Sequence, residues 1–198
     1  PFPADKIITV IRYLADHDEH FSLEHILPEV IDEVKDIETH YGKNIPVIVA
    51  GGIYTGEDIK RFMDMGAAGV QMGTRFVTTE ECDASDIFKQ TYIEAKQEDI
   101  QIIKSPVGMP GRAIFSKFIQ KVKEGQKQPK TCMCKCIKTC DISKSPYCII
   151  AALYNAFKGN MDNGYAFAGA NAFRATKIVS VKETFRSLLD EFNRAINK

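Results

Sequence analysis

Apolar residues along this chain follow two alternating rhythms. Val30, Ile31, Val34 and Ile37 recur at helical spacing. Ser22 suits the cap of a first turn, Pro28 suits a helix start better than a middle, and Gly42 ends the run. Residues 45–49 then form a short apolar stretch rich in β-branched side chains, the pattern of a strand buried on both faces. Gly51 and Gly52 break it. Thr55 followed by Asp58 predicts a capped helix through Met65, with Asp in place of the usual Glu or Gln. Gly66 ends that helix, and residues 69–72 predict a second buried strand finishing at Gly73. Strand, glycine turn, helix and strand within about thirty residues make a βαβ unit, hence parallel pairing.

The flanks read differently. Ile7, Ile8, Val10, Ile11 and Leu14 can mark one face of a short helix, followed by an exposed acidic and histidine-rich stretch, residues 16–20. After Thr78 the pattern predicts a helix over 85–96, a short strand over 100–103, a loop over 105–111 and a helix over 114–123. A helix over 147–158 and a small-residue loop over 164–169 come next. Ser180 and Glu183 then form a capping box ahead of Phe185, Leu188, Leu189 and Phe192.

Composition narrows the classes. The 198 residues are 44% apolar and 26% charged, ordinary for a globular chain with ample core. Lysine plus arginine equal aspartate plus glutamate at 26 each, so no global field draws nucleic acid or anionic lipid. No apolar run approaches the roughly 20 residues of a membrane helix. The opening carries neither a secretion pattern nor an initiator methionine. The expectations are a cytoplasmic chain with something upstream missing, no nucleic-acid or membrane partner, and an undetermined oligomeric state.

The two glycine turns carry the candidate chemistry. Parallel strands deliver their C-terminal ends to the rim where ligands bind. Ala50-Gly51-Gly52 stands at one such end and Gln71-Met72-Gly73-Thr74 at the next. Glycine lets backbone N–H groups approach phosphate oxygens with no Cβ in the way, Thr74 adds a hydroxyl, and a following helix adds its dipole. The candidate binding residues are therefore Ala50, Gly51, Gly52, Gln71, Gly73 and Thr74. The bland alternative is that both turns merely reverse the chain.

Residues 46–53, Pro-Val-Ile-Val-Ala-Gly-Gly-Ile, and residues 66–76, Gly-Ala-Ala-Gly-Val-Gln-Met-Gly-Thr-Arg-Phe, resemble the nitronate monooxygenases, formerly 2-nitropropane dioxygenases. That family includes flavin-dependent enoyl-[acyl-carrier-protein] reductases. The likeness continues through residues 81–84, 104–113 and 166–171, and so covers the chain from about Phe21 onward. It implies an α/β fold, the C-terminal portion of a TIM-like (β/α)8 barrel with an additional mostly helical segment. Residues 1–104 would be a partial FMN-binding barrel, and residues 105–198 a helical, cysteine-containing segment completing or covering it. The implied cofactor is FMN, held by backbone amides at Gly51-Gly52 and Gly73-Thr74. The implied reaction is oxidation of alkyl nitronates with dioxygen, or reduction of an enoyl thioester with NAD(P)H; the partner is that small-molecule substrate. The family's usual Gly-Gly-His-x-Gly segment is absent from this sequence, so no catalytic residue is assigned. The expectation is a C-terminal fragment inactive alone. His17, His20, His25 and His40 match no part of that motif.

Five of the six cysteines, Cys132, Cys134, Cys136, Cys140 and Cys148, fall in one segment. Structural zinc and iron–sulfur clusters need four such ligands, but the C-x-x-C pairs of a zinc ribbon are missing, which favours reduced thiols. A cysteine-centred metal-binding or interaction module is the rival reading, and a non-flavin phosphate-binding barrel is a third. Cys82 reads as packing, and Met63, Met65 and Met72 as core filling. Lys104 and Arg112 bracket a loop that reads either as an anion contact or active-site cover, or as a plain surface connection.

Overall fold

A computed structural model describes residues 8–11, 22–107, 110–126, 132, 136, 138, 140–141 and 143–197. They divide into two compact units: one runs to Phe76 and resumes at Ser180, and the other spans Val77–Val179. The last helix thus belongs to the unit built on the parallel strands.

The first unit holds a three-stranded sheet in the order β1 (Ile8–Ile11), β2 (Val47–Ala50), β3 (Gly69–Gln71), all parallel. β1 corrects the short-helix reading of its four residues: Ile8 to Ile11 pair in register with Val47 to Ala50. A β-branched run takes the extended state once a neighbouring strand supplies its hydrogen bonds. The rest of the N-terminal stretch, with His17 and His20, lies outside the described residues. β2 is paired on both sides, and Val47, Val49 and Ala50 are buried, as the apolar run predicts. β3 is less buried than expected. Gly69 and Val70 are half-buried and Gln71 exposed, because β3 is an edge strand among the described residues.

Helix α1 (Leu23–Tyr41) is capped by Ser22, which accepts the His25 backbone N–H, and closed by Gly42 at φ 63°. Pro28 lies inside this helix rather than at its start. The ring deletes one helical hydrogen bond there. Ser22's cap and the burial of Leu23, Leu27 and Val34 against the sheet carry the helix through it. α2 (Gly56–Asp64) begins in a complete capping box between Thr55 and Asp58. Met65 and Met72 pack on the core formed by Val47, Val49, Ile53 and Phe62, but Met63 is 41% exposed and fills no gap.

α7 (Val181–Ile196) starts at Ser180, whose hydroxyl accepts the Glu183 N–H. It lies so close to α2 that a Cβ on Gly56 would stand 2.3 Å from the Leu188 carbonyl oxygen and the Phe192 nitrogen. Leu188 is buried, whereas Phe185 and Leu189 are exposed.

The second unit is opened and closed by adjoining strands of chain. Thr79 bridges Val179 in parallel, and Glu80 N–H donates to the Val179 carbonyl at 2.9 Å. Within it lie α4 (Asp86–Glu94), β4 (Ile100–Lys104), β5 (Pro110–Ile114), α5 (Lys117–Lys123) and α6 (Ile149–Phe157). β4 and β5 form an antiparallel hairpin with Ile100 opposite Ile114 and Lys104 opposite Pro110. This corrects the reading of 105–111 as loop throughout and of Ile114 as the start of a helix. Ser116, not Ile114, marks that start, since its hydroxyl accepts the Ile119 N–H.

The small-residue segment after α6 packs tightly. A Cβ on Gly164 would meet the Ala152 carbonyl oxygen of α6 at 2.2 Å, which accounts for glycine there by helix packing. Tyr165, Ala166 and Ala168 are buried, and Tyr165 stacks with Phe118 while meeting Tyr147 edge-on.

Candidate functional site

The sequence-predicted binding residues converge on one end of the parallel sheet. Ala50 and Gln71 are directly paired across β2 and β3, so both chains leave the sheet at the same level. Gly51 and Gly52 follow Ala50 with φ 110° and 75°, left-handed values that a side chain resists. Gly73 is the second residue after β3. A Cβ built on Gly52 or on Gly73 would meet nothing within 4 Å, so both turns border open space. Gly51, Gln71 and Gly73 are exposed, Gly52 and Thr74 half-buried, and Ala50 forms a buried floor. Thr74 opens α3 (Thr74–Val77), a single turn. So short a helix contributes little dipole, and the expected help from that source shrinks accordingly.

What braces the two turns was not legible in the sequence. The Arg75 guanidinium lies 4.5 Å from the centre of the buried Tyr54 ring, joining the turn after β3 to the one after β2. Such a contact contributes about 0.5–2 kcal/mol. Arg75 also reaches Ser187 Oγ at 3.5 Å, and Ser187 donates to Glu191 Oε1 at 2.9 Å. Glu191 Oε2 accepts the Gly56 N–H at 2.8 Å, returning the chain of contacts to the start of α2. Asp58 Oδ2 accepts both the Tyr54 and the Thr55 N–H at 3.0 Å. The exit of the Gly51-Gly52 turn is therefore fixed by a carboxylate, and α7 clamps it from behind.

Other candidates fall elsewhere. His25 shares a 2.8 Å hydrogen bond with Ser22 at the α1 cap, and His40 packs edge-on against Tyr41 at the other end of that helix. Cys82, Cys132, Cys136, Cys140 and Cys148 carry free thiols, while Cys134 lies outside the described residues. Among the described residues no group of three or more histidine, cysteine or acidic side chains is placed to hold a metal ion. Nor is any helix among them long and apolar enough to cross a membrane.

The nitronate monooxygenase family matches residues 14–191. The chain belongs to that family. Within this family of oxidoreductases, a probable nitronate monooxygenase of Staphylococcus saprophyticus is 36% identical over 99 residues, covering 50% of this chain and 25% of that protein. A (3aS,4S,5R,7aS)-5-hydroxy-7a-methyl-1-oxo-octahydro-1H-indene-4-carboxyl-CoA dehydrogenase of Mycobacterium tuberculosis is 34% identical over 102 residues, covering 52% and 27%. FabK from Thermotoga maritima superimposes with a TM-score of 0.62 at 28% identity, over 78% of this chain and 46% of its own. A nitroalkane oxidase of Streptomyces ansochromogenes shares the fold, with TM-score 0.64 at 20% identity over 89% and 45%. The chain thus spans about a quarter of the curated relatives' length and under half of these two solved structures. Its fold class is α/β, part of a TIM-like (β/α)8 barrel with an additional, mostly helical segment that also carries the β4–β5 hairpin.

Proposed function

We propose that this nitronate monooxygenase family chain grips the phosphate of FMN at Gly51-Gly52 and Gly73-Thr74. In the whole enzyme that grip would serve oxidation of alkyl nitronates with dioxygen. The observation that carries this reading is the pairing of Ala50 with Gln71, which brings two glycine turns to one strand end, each bordering open space. Phosphate oxygens suit such a place, because glycine backbone amides can approach them closely without a side chain intervening. Ala50 supplies the floor, and the Thr74 hydroxyl is a further donor on the same rim. Bound FMN supplies the redox chemistry; the residues of this chain bind and orient it. The Tyr54–Arg75 contact and the Asp58 carboxylate hold the two turns at a fixed separation. A second reading, an enoyl-thioester reductase, is favoured by the likeness to FabK from Thermotoga maritima over 78% of the chain. Both share the phosphate grip and differ in substrate.

Gly73 offers the cleanest test. Its φ lies outside the left-handed region and a Cβ meets nothing, so Gly73→Val fills the cradle without straining the fold. Titration of FMN by fluorescence quenching should show weak, saturable binding to this chain. The Gly73→Val variant should lose at least about tenfold in affinity, the equivalent of one lost charge-assisted contact, at unchanged melting temperature. Equal affinity in the variant, or no saturable binding by the parent, defeats the proposal. Assayed alone, the chain should turn over neither nitronate nor enoyl thioester.

A further inference from the structure

The second unit contains a cavity of about 670 Å³, bounded by residues 102–106 of β4 and the turn after it, by Phe118, Ile119, Val122 and Lys123 of α5, and by Asp141 and residues 144–147. That volume lies within the roughly 300–1,000 Å³ typical of small-molecule sites. Its inner wall is apolar: Ile103, Phe118, Ile119 and Tyr147 are all buried. Two buried hydroxyls interrupt it. Ser145 donates to the Tyr147 carbonyl at 2.8 Å, while Ser105 Oγ accepts the Val107 N–H at 3.3 Å and retains its own proton to donate.

The solvent side of the same wall is cationic. Lys104, Lys123 and Lys144 line it and all are exposed, against one carboxylate, Asp141. Asp141 is taken up by Lys144 at 3.3 Å and by Ser143, whose hydrogen bonds hold its carboxyl below the usual range. Lys123 donates to the neutral Gln101 Oε1 at 2.8 Å and lies 5.3 Å from the Phe115 ring centre. Neither Lys104 nor Lys123 is balanced by a carboxylate among the described residues. An apolar pocket with a mouth of two uncompensated ammonium groups discriminates by charge at one end and by chain at the other.

We propose that this cavity binds an aliphatic carboxylate, its chain against Ile103, Phe118 and Ile119 and its head group between Lys104 and Lys123. The cation rim disfavours amines, and the apolar interior disfavours small inorganic anions. This assignment is independent of the flavin reading, since every residue it uses lies in the second unit.

Calorimetric titration with octanoate, acetate, 1-octanol and octylammonium tests it. Octanoate should bind saturably, at least about tenfold tighter than each of the other three, and its affinity should fall as salt rises. In the double variant Lys104→Glu, Lys123→Glu, octanoate affinity should drop about tenfold or more while octanol binding is unchanged. Both lysines are exposed, so an unchanged melting temperature is expected and confirms folding. Failure of octanoate to saturate, equal binding of octylammonium or octanol, or undiminished octanoate binding by the folded double variant each overturns the proposal.

Discussion

Among the described residues, each compact unit contains a glycine at which a helix backbone comes too close for any other residue. In the first unit it is Gly56 against α7; in the second it is Gly164 against α6. Neither has a left-handed φ, so both are glycine for space rather than for conformation. The surroundings differ. Gly56 opens a capped helix in a parallel sheet built from continuous local patterns, whereas Gly164 precedes a buried aromatic group assembled from α5, Tyr147 and Tyr165. The elements of the first unit are each written in local patterns, although α7 joins them from more than a hundred positions away, whereas the core of the second is assembled from several separate segments.

Substituting these two glycines gives the largest expected effects and tests whether the units open separately. Alanine at either site sets a Cβ within 2.3 Å of main-chain atoms, and a helix must move to accommodate it. Overpacking of this kind costs about 3 kcal/mol. In hydrogen–deuterium exchange, Gly56→Ala should lose protection in α2 and α7 and leave the β4–β5 hairpin unchanged. Gly164→Ala should do the reverse, exposing α6 and the hairpin alone. Equal loss throughout both units in either variant contradicts their separate cooperativity.

The same contrast explains what the sequence revealed. The parallel unit was readable because its signals are short-range: the β-branched run of β2, the Thr55–Asp58 box, and glycines at both strand ends. Even there Pro28 misled, since a nearby serine cap and a buried face outweighed one lost hydrogen bond. The hairpin escaped notice because its connection has no two-residue turn signature and Pro110 cannot donate to the ladder. Ser116 was the available clue, three residues before Ile119. At the candidate site the turns themselves were legible. Their braces were not, because Arg75 and Ser187 are 112 positions apart and Gly56 and Glu191 135 apart. No local pattern encodes such pairs.

Alkaline pH should separate the units more gently. Burial raises the hydroxyl pKa of Tyr92, with the nearby Cys82 adding to it; burial likewise raises Tyr165 and Tyr147. All three lie in the second unit. A group whose folded pKa exceeds its unfolded value contributes stability that is fully present below the unfolded value, about 10 for tyrosine. Above that, the unfolded chain has released its proton and the folded one has not, so stability falls as pH rises. Exchange measured at increasing pH, corrected for intrinsic rates, should show the second unit opening first. Ultraviolet titration at 295 nm should show these three tyrosines ionising late. Phenolate formation at ordinary pH by Tyr92, which donates its hydroxyl to the Phe167 carbonyl, would show that its burial is wrong.

The smallest effects come from helix caps, and they sharpen the comparison most directly because both units use the same device. Ser85 caps α4 through one bond, accepting the Phe88 N–H at 3.2 Å. Thr55 caps α2 at the same distance, but there the Asp58 carboxylate also accepts two main-chain N–H groups at the exit of the glycine turn. Ser85→Ala should cost about 1 kcal/mol, confined to the second unit. Asp58→Ala removes an acceptor from two part-buried donors and should cost about 2 kcal/mol. Its more telling consequence lies outside stability. Freed of that carboxylate, the Gly51-Gly52 turn is no longer held against α2, so FMN affinity should fall several-fold in Asp58→Ala and stay unchanged in Ser85→Ala. Equal affinity in the two variants would mean that the glycine turn keeps its shape without Asp58, leaving the Tyr54–Arg75 contact and the α7 clamp to hold it.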